Sequence, residues 1–340
     1  MNLHAILAAV TKAAGLGASR ASWLLLDRSA PGEAGQVLIV FLEGQPRLTV
    51  KLSSDPARAD ALDREHANLL HLSRLPELCG SVPAAIFAGR AGGAGICVQG
   101  FVPGIPLSRL GKRACDRAFE QALAWLGRFQ RLASPLDRPP ARALARVAAE
   151  DYRRLFRSSR RLSALLAESV EGLDPGTRPV ACHGDFCAAN LLWERASDSL
   201  GVIDWEYPLE PRLPVFDLLT LLASLRTRPA DRGARHLCAF FSRPAGSAIR
   251  AVEVFMRAAG TPPEQAIYQS ALSWAQLACR KKRELDAMAA SSGVRLPDAA
   301  HLPLVLIEAD RCLNLEWLAE RRGEHLLSRL PAHVRRKKDR

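Results

Sequence analysis

The sequence predicts an α+β protein: a small antiparallel sheet carrying one helix, followed by a larger, mainly helical lobe. Three observations lead there. Short alternating apolar runs crowd into the first hundred residues, and helical periodicity dominates from about residue 113 to 330. That helical region is interrupted only by PVACHGDFCAANLLW and LGVIDWE, which read as short strands and loops. At 340 residues and 48% hydrophobic content, the chain can form one large domain or two lobes with separate cores. The expected organisation is a first lobe over 1–102 with a leading helix over 2–14, a helical lobe over 103–330, and a basic tail over 331–340.

The elements follow in chain order. MNLHAILAAVTKAAG lacks a basic n-region and carries Lys12 inside its apolar run, so it reads as an amphipathic helix rather than a signal peptide. ASWLLLDR, QVLIVFL and RLTVKL read as three strands, the last two joined by a turn at Glu43-Gly44-Gln45-Pro46. Ser54 or Asp55 caps the next helix, Pro56 takes its first position, and apolar spacing runs through Leu75. AAIFAGR and ICVQGFV flank AGGAG as a second hairpin. After Pro103-Gly104, residues 113–134, 139–171 and 213–330 are helical in period and rich in Leu, Ala and Arg. No internal repeat is evident.

Composition excludes several classes. The longest apolar stretches, such as LPVFDLLTLLASL, are broken by Asp217 and fall short of the roughly 18 residues a membrane span needs. A cytoplasmic protein is expected. The eight cysteines (79, 97, 115, 182, 187, 238, 279, 312) are dispersed without a C-x-x-C pair, so reduced core thiols are the expectation. The formal charge is +12, and residues 218–340 hold 21 basic against 12 acidic residues, ending in RRKKDR. That tail reads as a solvated end, or as attraction to an anionic substrate or surface. No aromatic interleaving or zinc-finger spacing points to nucleic acid. Nothing in the pattern specifies an oligomer.

Two charged residues stand out in the first lobe. In RLTVKL, alternation sets Leu48, Val50 and Leu52 on one face and Thr49 and Lys51 on the other. In the following helix Leu62, Glu65, Leu69 and Leu72 recur at 3-4-3 spacing, which puts Glu65 on the stripe facing the sheet. A buried carboxylate is costly without a partner, and Lys51 is the nearest cation. Paired, they would hold the ammonium where it can touch a nucleotide's phosphates. A purely structural ion pair, or a Glu65 reaching water at the edge of the stripe, fits the same pattern.

The segment CHGDFCAANLLW admits three chemistries. A zinc site would need Cys182, His183 and Cys187, but Cys-His-x-x-x-Cys is not a zinc-knuckle spacing and no second Cys/His pair lies nearby. A thiol nucleophile at Cys182 cannot easily use His183 as its base, because adjacent strand residues point to opposite faces. The third is phosphoryl transfer. It needs a carboxylate to accept the hydroxyl proton, and oxygen ligands for Mg²⁺. Asp185 suits the first role. Asn190, and Asp204 at the end of the apolar GVID some fourteen residues on, suit the second.

Together these motifs resemble the aminoglycoside phosphotransferase/choline kinase family. HGDFCAAN matches its catalytic loop, IDWE its metal-binding motif and FDLL (Phe216 to Leu219) the aspartate motif that follows, with a weaker match to Lys51, Glu65 and a hinge in CVQGFVPG. The resemblance implies a bilobal protein-kinase-like fold using ATP or GTP with Mg²⁺. It makes Asp185 the catalytic base, gives Asn190 and Asp204 to the metal, and gives Lys51 and Glu65 to the phosphates. The backbone from Gln99 to Phe101 would meet the adenine. His183 would brace the loop, and Asp217 would order it.

The chain also departs from that pattern. SAPGEAGQ, with Gly32 and Gly35, lies where a phosphate-covering loop belongs but lacks the G-x-G-x-x-G spacing of protein kinases. Only twelve residues separate Asp204 from Asp217, too few for a segment that docks a peptide, so a small-molecule acceptor is expected. Amino alcohols, sugars and aminoglycosides all qualify. Glu206, Tyr207 and Trp274 are the acceptor-side candidates, with Trp205 and Trp317 as further aromatic residues, although tryptophans at helical spacing usually belong to the core. The competing reading is a catalytically silent nucleotide-binding protein or assembly factor. Retention of Lys51, Asp185, Asn190 and Asp204 favours an active enzyme.

Overall fold

Two compact units emerge in a computed structural model, which describes residues 3–15, 21–26, 35–134, 137–156, 160–224, 254–262 and 265–292. The first unit takes in 1–111, 183–185 and 189–209; the second takes in 112–182, 186–188 and 210–340. The fold is the mixed α+β class that the alternation and the helical period predict.

The first unit is built on a five-stranded antiparallel sheet in the order β1-β2-β3-β5-β4. Its strands are β1 (Ala21–Leu26), β2 (Gly35–Leu42), β3 (Gln45–Ser53), β4 (Ala85–Ala91) and β5 (Ala94–Gly100). The β2–β3 turn is tighter than the sequence reading. Only Glu43 and Gly44 lie outside the strands, at φ 52° and 77°, the two positive values of a type I′ hairpin. Pro46 already belongs to β3. It stands opposite Phe41 at a register irregularity, where a missing N–H is tolerated.

The sheet is covered on both faces. Helix α1 (Leu3–Ala13) buries Ile6 and Val10 against Leu38, Val40, Leu48, Val50, Leu52, Ile96 and Val98. The opposite face carries Lys51 and Cys97 in direct register, and it receives α2 (Pro56–Leu72). Between Ser54 and Asp55, the structure selects Asp55 as the cap: its carboxylate accepts the Ala57 N–H at 3.0 Å, with Pro56 next. The helix stops at Leu72, short of the Leu75 that apolar spacing reached. Leu75 precedes Pro76, which drives it to extended backbone (φ −107°, ψ 92°).

Three shorter strands complete this unit: β6 (Ile105–Pro106), β8 (Leu191–Glu194) and β9 (Ser199–Val202), in the order β6-β8-β9. Strand β7 (Val180–Ala181) belongs to the second unit, where it pairs with β10 (Pro211–Arg212).

The second unit contains α3 (Lys112–Ala133), α4 (Ala141–Leu155), α5 (Arg160–Glu171), α6 (Phe216–Ser224) and α7 (Ala266–Ser292). The periodic stretch 139–171 holds two helices, because Phe156 turns extended (φ −129°, ψ 145°) and ends α4. Within helix α7, residues 269–279 are buried except at Gln276, including Leu272, Trp274, Ala275, Leu277 and Ala278. Gly172, at the end of α5, meets Tyr268 so closely that an added Cβ would lie 2.8 Å from the ring. Among the described residues no helix is long and apolar enough to cross a membrane. Gly32, Cys238, Cys312, Trp317 and the 331–340 tail lie outside the described residues.

Candidate active site

The apolar stripe of α2 carries Glu65 to the sheet and buries it completely. There Lys51 Nζ meets both its oxygens, at 2.7 Å and 2.8 Å. The pairing follows from the two periods: Lys51 alternates onto the α2-facing side of β3, and Glu65 lies between Leu62 and Leu69 on the buried stripe. Lys51 Nζ also donates to Asp204 Oδ1 at 2.6 Å. Burial alone would lower the Lys51 pKa, but the two carboxylates outweigh it and raise it, so the ammonium stays charged. Glu65 is pushed up, first by burial and against the pull of Lys51.

Asp204 adopts φ 73°, a left-handed conformation rare for a residue with a Cβ and typical of functional sites. Its neighbours are pinned. Ile203 N–H donates to Asn190 O at 3.0 Å, and Ile203 O meets His183 Nε2 at 3.0 Å. Trp205 is fully buried, sends its indole N–H to Val202 O at 2.9 Å, and lies against the His183 ring at 4.3 Å. Glu206 is half-buried, and its carboxyl is pushed up to about 7, by burial first and then by the charge of Asp204.

The HGDFCAAN segment forms a second, linked network. Gly184 takes φ 87°, and the Asp185 N–H donates to His183 Nδ1 at 3.2 Å. With Nδ1 accepting, His183 carries its proton on Nε2 and donates to Ile203 O. Asn190 Nδ2 donates to both the backbone oxygen and Oδ2 of Asp185, at 3.0 Å each. His183 thus ties the start of the HGDFCAAN segment to the residue just before Asp204. Asp185 and Asn190 are therefore hydrogen-bonded to each other and, Asn190 directly and Asp185 through His183, to Ile203, whose chain neighbour Asp204 is bonded to Lys51.

Within the second unit, Phe186 stacks on Trp125 of α3 at 5.7 Å, and Ala188 N–H donates to Ser224 Oγ of α6 at 2.7 Å. Asp217 is buried in the first turn of α6 and lies against the Cys182 thiol. Burial, then Asp217, holds that thiol well above its ordinary pKa. Cys182 is therefore kept protonated, the opposite of what a nucleophile or zinc ligand requires.

The remaining predicted residues are placed as follows. Gln99 is buried on the same sheet face as Lys51, and its side-chain oxygen has no hydrogen-bond partner. The N–H groups of Gly100 and Phe101 donate to Ala84 O and Arg47 O, at 2.8 Å and 2.9 Å. Tyr207 contributes its carbonyl to an internal bond from Asn68. Trp274 is only 2% exposed and so offers almost no surface to a ligand.

Sequence reasoning passed over Asn68. Its spacing from Glu65, three residues along the helix, was the available signal.

An antiparallel sheet that holds a lysine against a helical glutamate, beside a hydrogen-bonded His-Gly-Asp loop, is the architecture of the protein-kinase-like fold. The sequence matches the model of the phosphotransferase enzyme family (APH) over residues 31–252, and the chain belongs to that family. A comparison with functionally curated proteins finds no significant match.

Solved structures agree on the fold. A Ralstonia eutropha JMP134 protein assigned as an aminoglycoside phosphotransferase superposes with TM-score 0.61 at 14% identity, covering 94% of this chain and 98% of that one. A thermostable variant of aminoglycoside phosphotransferase APH(4)-Ia, in complex with AMP-PNP and hygromycin B, gives 0.57 at 13% identity, covering 89% and 95%. APH(2")-IIIa, with GDP and kanamycin, gives 0.51 at 15% identity, covering 95% and 99%.

Proposed function

We propose that the protein transfers the γ-phosphoryl group of ATP, or GTP, to a hydroxyl of a small molecule. The observation that carries this reading is the double pairing of Lys51 with Glu65 and Asp204, tied through Ile203 to His183, Asp185 and Asn190. Family membership supports phosphoryl transfer as the chemistry, and related folds have been crystallised with AMP-PNP or GDP beside an aminoglycoside.

In this reading Asp185 accepts the proton of the acceptor hydroxyl as its oxygen attacks the γ-phosphorus, while the bond from that phosphorus to the β,γ-bridging oxygen breaks and ADP, or GDP, leaves with the bond's electron pair. Asn190 donates to Asp185 Oδ2, which fixes the rotamer of that carboxylate. The Lys51 ammonium, held protonated by two carboxylates, meets the phosphates. The amide oxygen of Asn190 and the carboxylate of Asp204 are hard donors that fit Mg²⁺, and both Asn190 N–H groups are already committed to Asp185. Held by these two oxygens, Mg²⁺ would supply positive charge against the phosphates. The base meets carbonyls near Gln99 to Phe101, since the amides of Gly100 and Phe101 are engaged. The unpartnered Gln99 side-chain oxygen is a further acceptor on the Lys51 face.

The acceptor class is an amino alcohol, a sugar or an aminoglycoside-like compound. Glu206 and the Tyr207 ring lie immediately beyond Asp204 and are the acceptor-side residues this reading retains. The test is Mg²⁺-dependent transfer from ATP across that panel. Transfer is expected with the parent and is expected to be lost in Asp185→Asn. Turnover that persists unchanged in Asp185→Asn removes the assignment.

A further inference from the structure

Asn68 lies one helical turn beyond Glu65 and reaches the same stretch of chain. Its Nδ2 donates to the carbonyl oxygens of Trp205 and Tyr207, at 2.7 Å each. Glu65 Oε1 accepts the Trp205 N–H at 3.3 Å. Two side chains of α2 therefore hold both backbone polar groups of Trp205 and the carbonyl two residues on. All of this follows directly on Asp204, whose φ of 73° lies in the left-handed region that few residues with a Cβ occupy.

We propose that Asn68 is a positioning residue for phosphoryl transfer: it latches the backbone after Asp204 to α2 and so sets where the Asp204 carboxylate stands beside Lys51. This rests on the metal role given to Asp204 above. An amide nitrogen has two N–H groups, and here each has its own carbonyl. Loop carbonyls at a half-buried surface can be satisfied by water. A side chain that takes two of them gains orientation rather than mere satisfaction. Because Glu65 grips both Lys51 and Trp205, α2 holds the phosphate lysine and the metal aspartate in one register. Asn68 is the second point of that grip, without which the 205–207 segment can pivot about the Glu65 contact.

Asn68→Leu removes the donors, and Asn68→Asp keeps the shape while facing two carbonyls with oxygen. Three measurements on the full chain test the latch: amide exchange over 203–208, the Mg²⁺ concentration for half-maximal ADP binding, and the melting temperature. Both variants are expected to melt near the parent and to exchange faster over 203–208. They should need about ten times more Mg²⁺ to bind ADP, the scale on which residues supporting metal ligands act. With an accepted substrate, kcat falls more than the nucleotide KM rises. Exchange and Mg²⁺ requirement within about twofold of the parent, well inside that scale, overturn the proposal. Asp204→Asn serves as the control. If it leaves Mg²⁺-dependent ADP binding intact, the metal role of Asp204 fails, while the exchange result still reports the latch by itself.

Discussion

Lys51 Nζ lies 2.6 Å from Asp204 Oδ1, so a strand residue and a loop residue 153 positions apart share one short charge-assisted hydrogen bond. The same ammonium bridges both oxygens of Glu65, whose side chain is entirely buried while that of Lys51 is 11% exposed. Removing the cation leaves Glu65 buried beside Asp204 with no counter-charge. Lys51→Met is therefore expected to destabilise the protein by about 3–5 kcal/mol, the range for breaking a buried pair from one side. Urea denaturation measures it. A loss below about 1 kcal/mol would place the pair among the surface bridges, where such values are normal.

Gly95 of β5 faces Ala59 of α2, and a Cβ added there would lie 2.5 Å from Ala59 Cβ and 3.0 Å from its Cα. The helix backbone, not a flexible side-chain tip, is the obstacle. Gly95→Ala is expected to cost about 1–3 kcal/mol, as overpacking does. It also moves α2, and Glu65 with it, away from Lys51, so turnover should fall in a variant that is still folded. Denaturation curves and nucleotide affinity, measured on the same samples, separate the two effects.

Much of this was legible locally. Pro56 after Asp55 marks the start of α2, and the 3-4-3 spacing places Glu65 on the buried face before any coordinate is known. His183, Asp185 and Asn190 lie within one short segment, so their linkage is a matter of local geometry. What stayed hidden depends on contacts between distant parts of the chain. Asn68 meets carbonyls 137 and 139 residues away, and its spacing from Glu65, the one local signal, does not say which carbonyls those are. The left-handed backbone at Asp204 is equally invisible, because it is imposed by Ile203 and Trp205 being pinned on either side. The end of α2 was missed because Leu75, ahead of a proline, turns extended.

The backbone at Asp204 separates charge from conformation. Asparagine tolerates the left-handed region because its short polar side chain bonds locally, whereas alanine there costs about 1–2 kcal/mol. Asp204→Asn is therefore expected to keep the stability of the fold better than Asp204→Ala, by roughly that margin. Both lose the carboxylate, so both should lose phosphoryl transfer by at least about 10²-fold, the low end for removing a group that stabilises transition-state charge. Equal melting temperatures for the two variants would show that the conformation at 204 carries no strain.

Glu206 gives a pH dependence whose direction is fixed by its surroundings. Burial, and next the negative charge of Asp204, raise its carboxyl from 4.5 to about 7, with Lys51 and Arg58 pulling the other way. Between those two values the folded protein holds a proton that the unfolded chain has released. Stability from this group is therefore fully present below 4.5, falls as pH rises, and is gone once pH passes about 7. Glu206→Gln is neutral throughout and lacks that decline. In metal-free buffer with chelator, the melting temperature of the variant relative to the parent should climb across this window and level off above it. Parallel profiles for the two proteins would mean that Glu206 titrates in the fold as it does in the unfolded chain, and that the charges of Lys51 and Arg58 offset its burial.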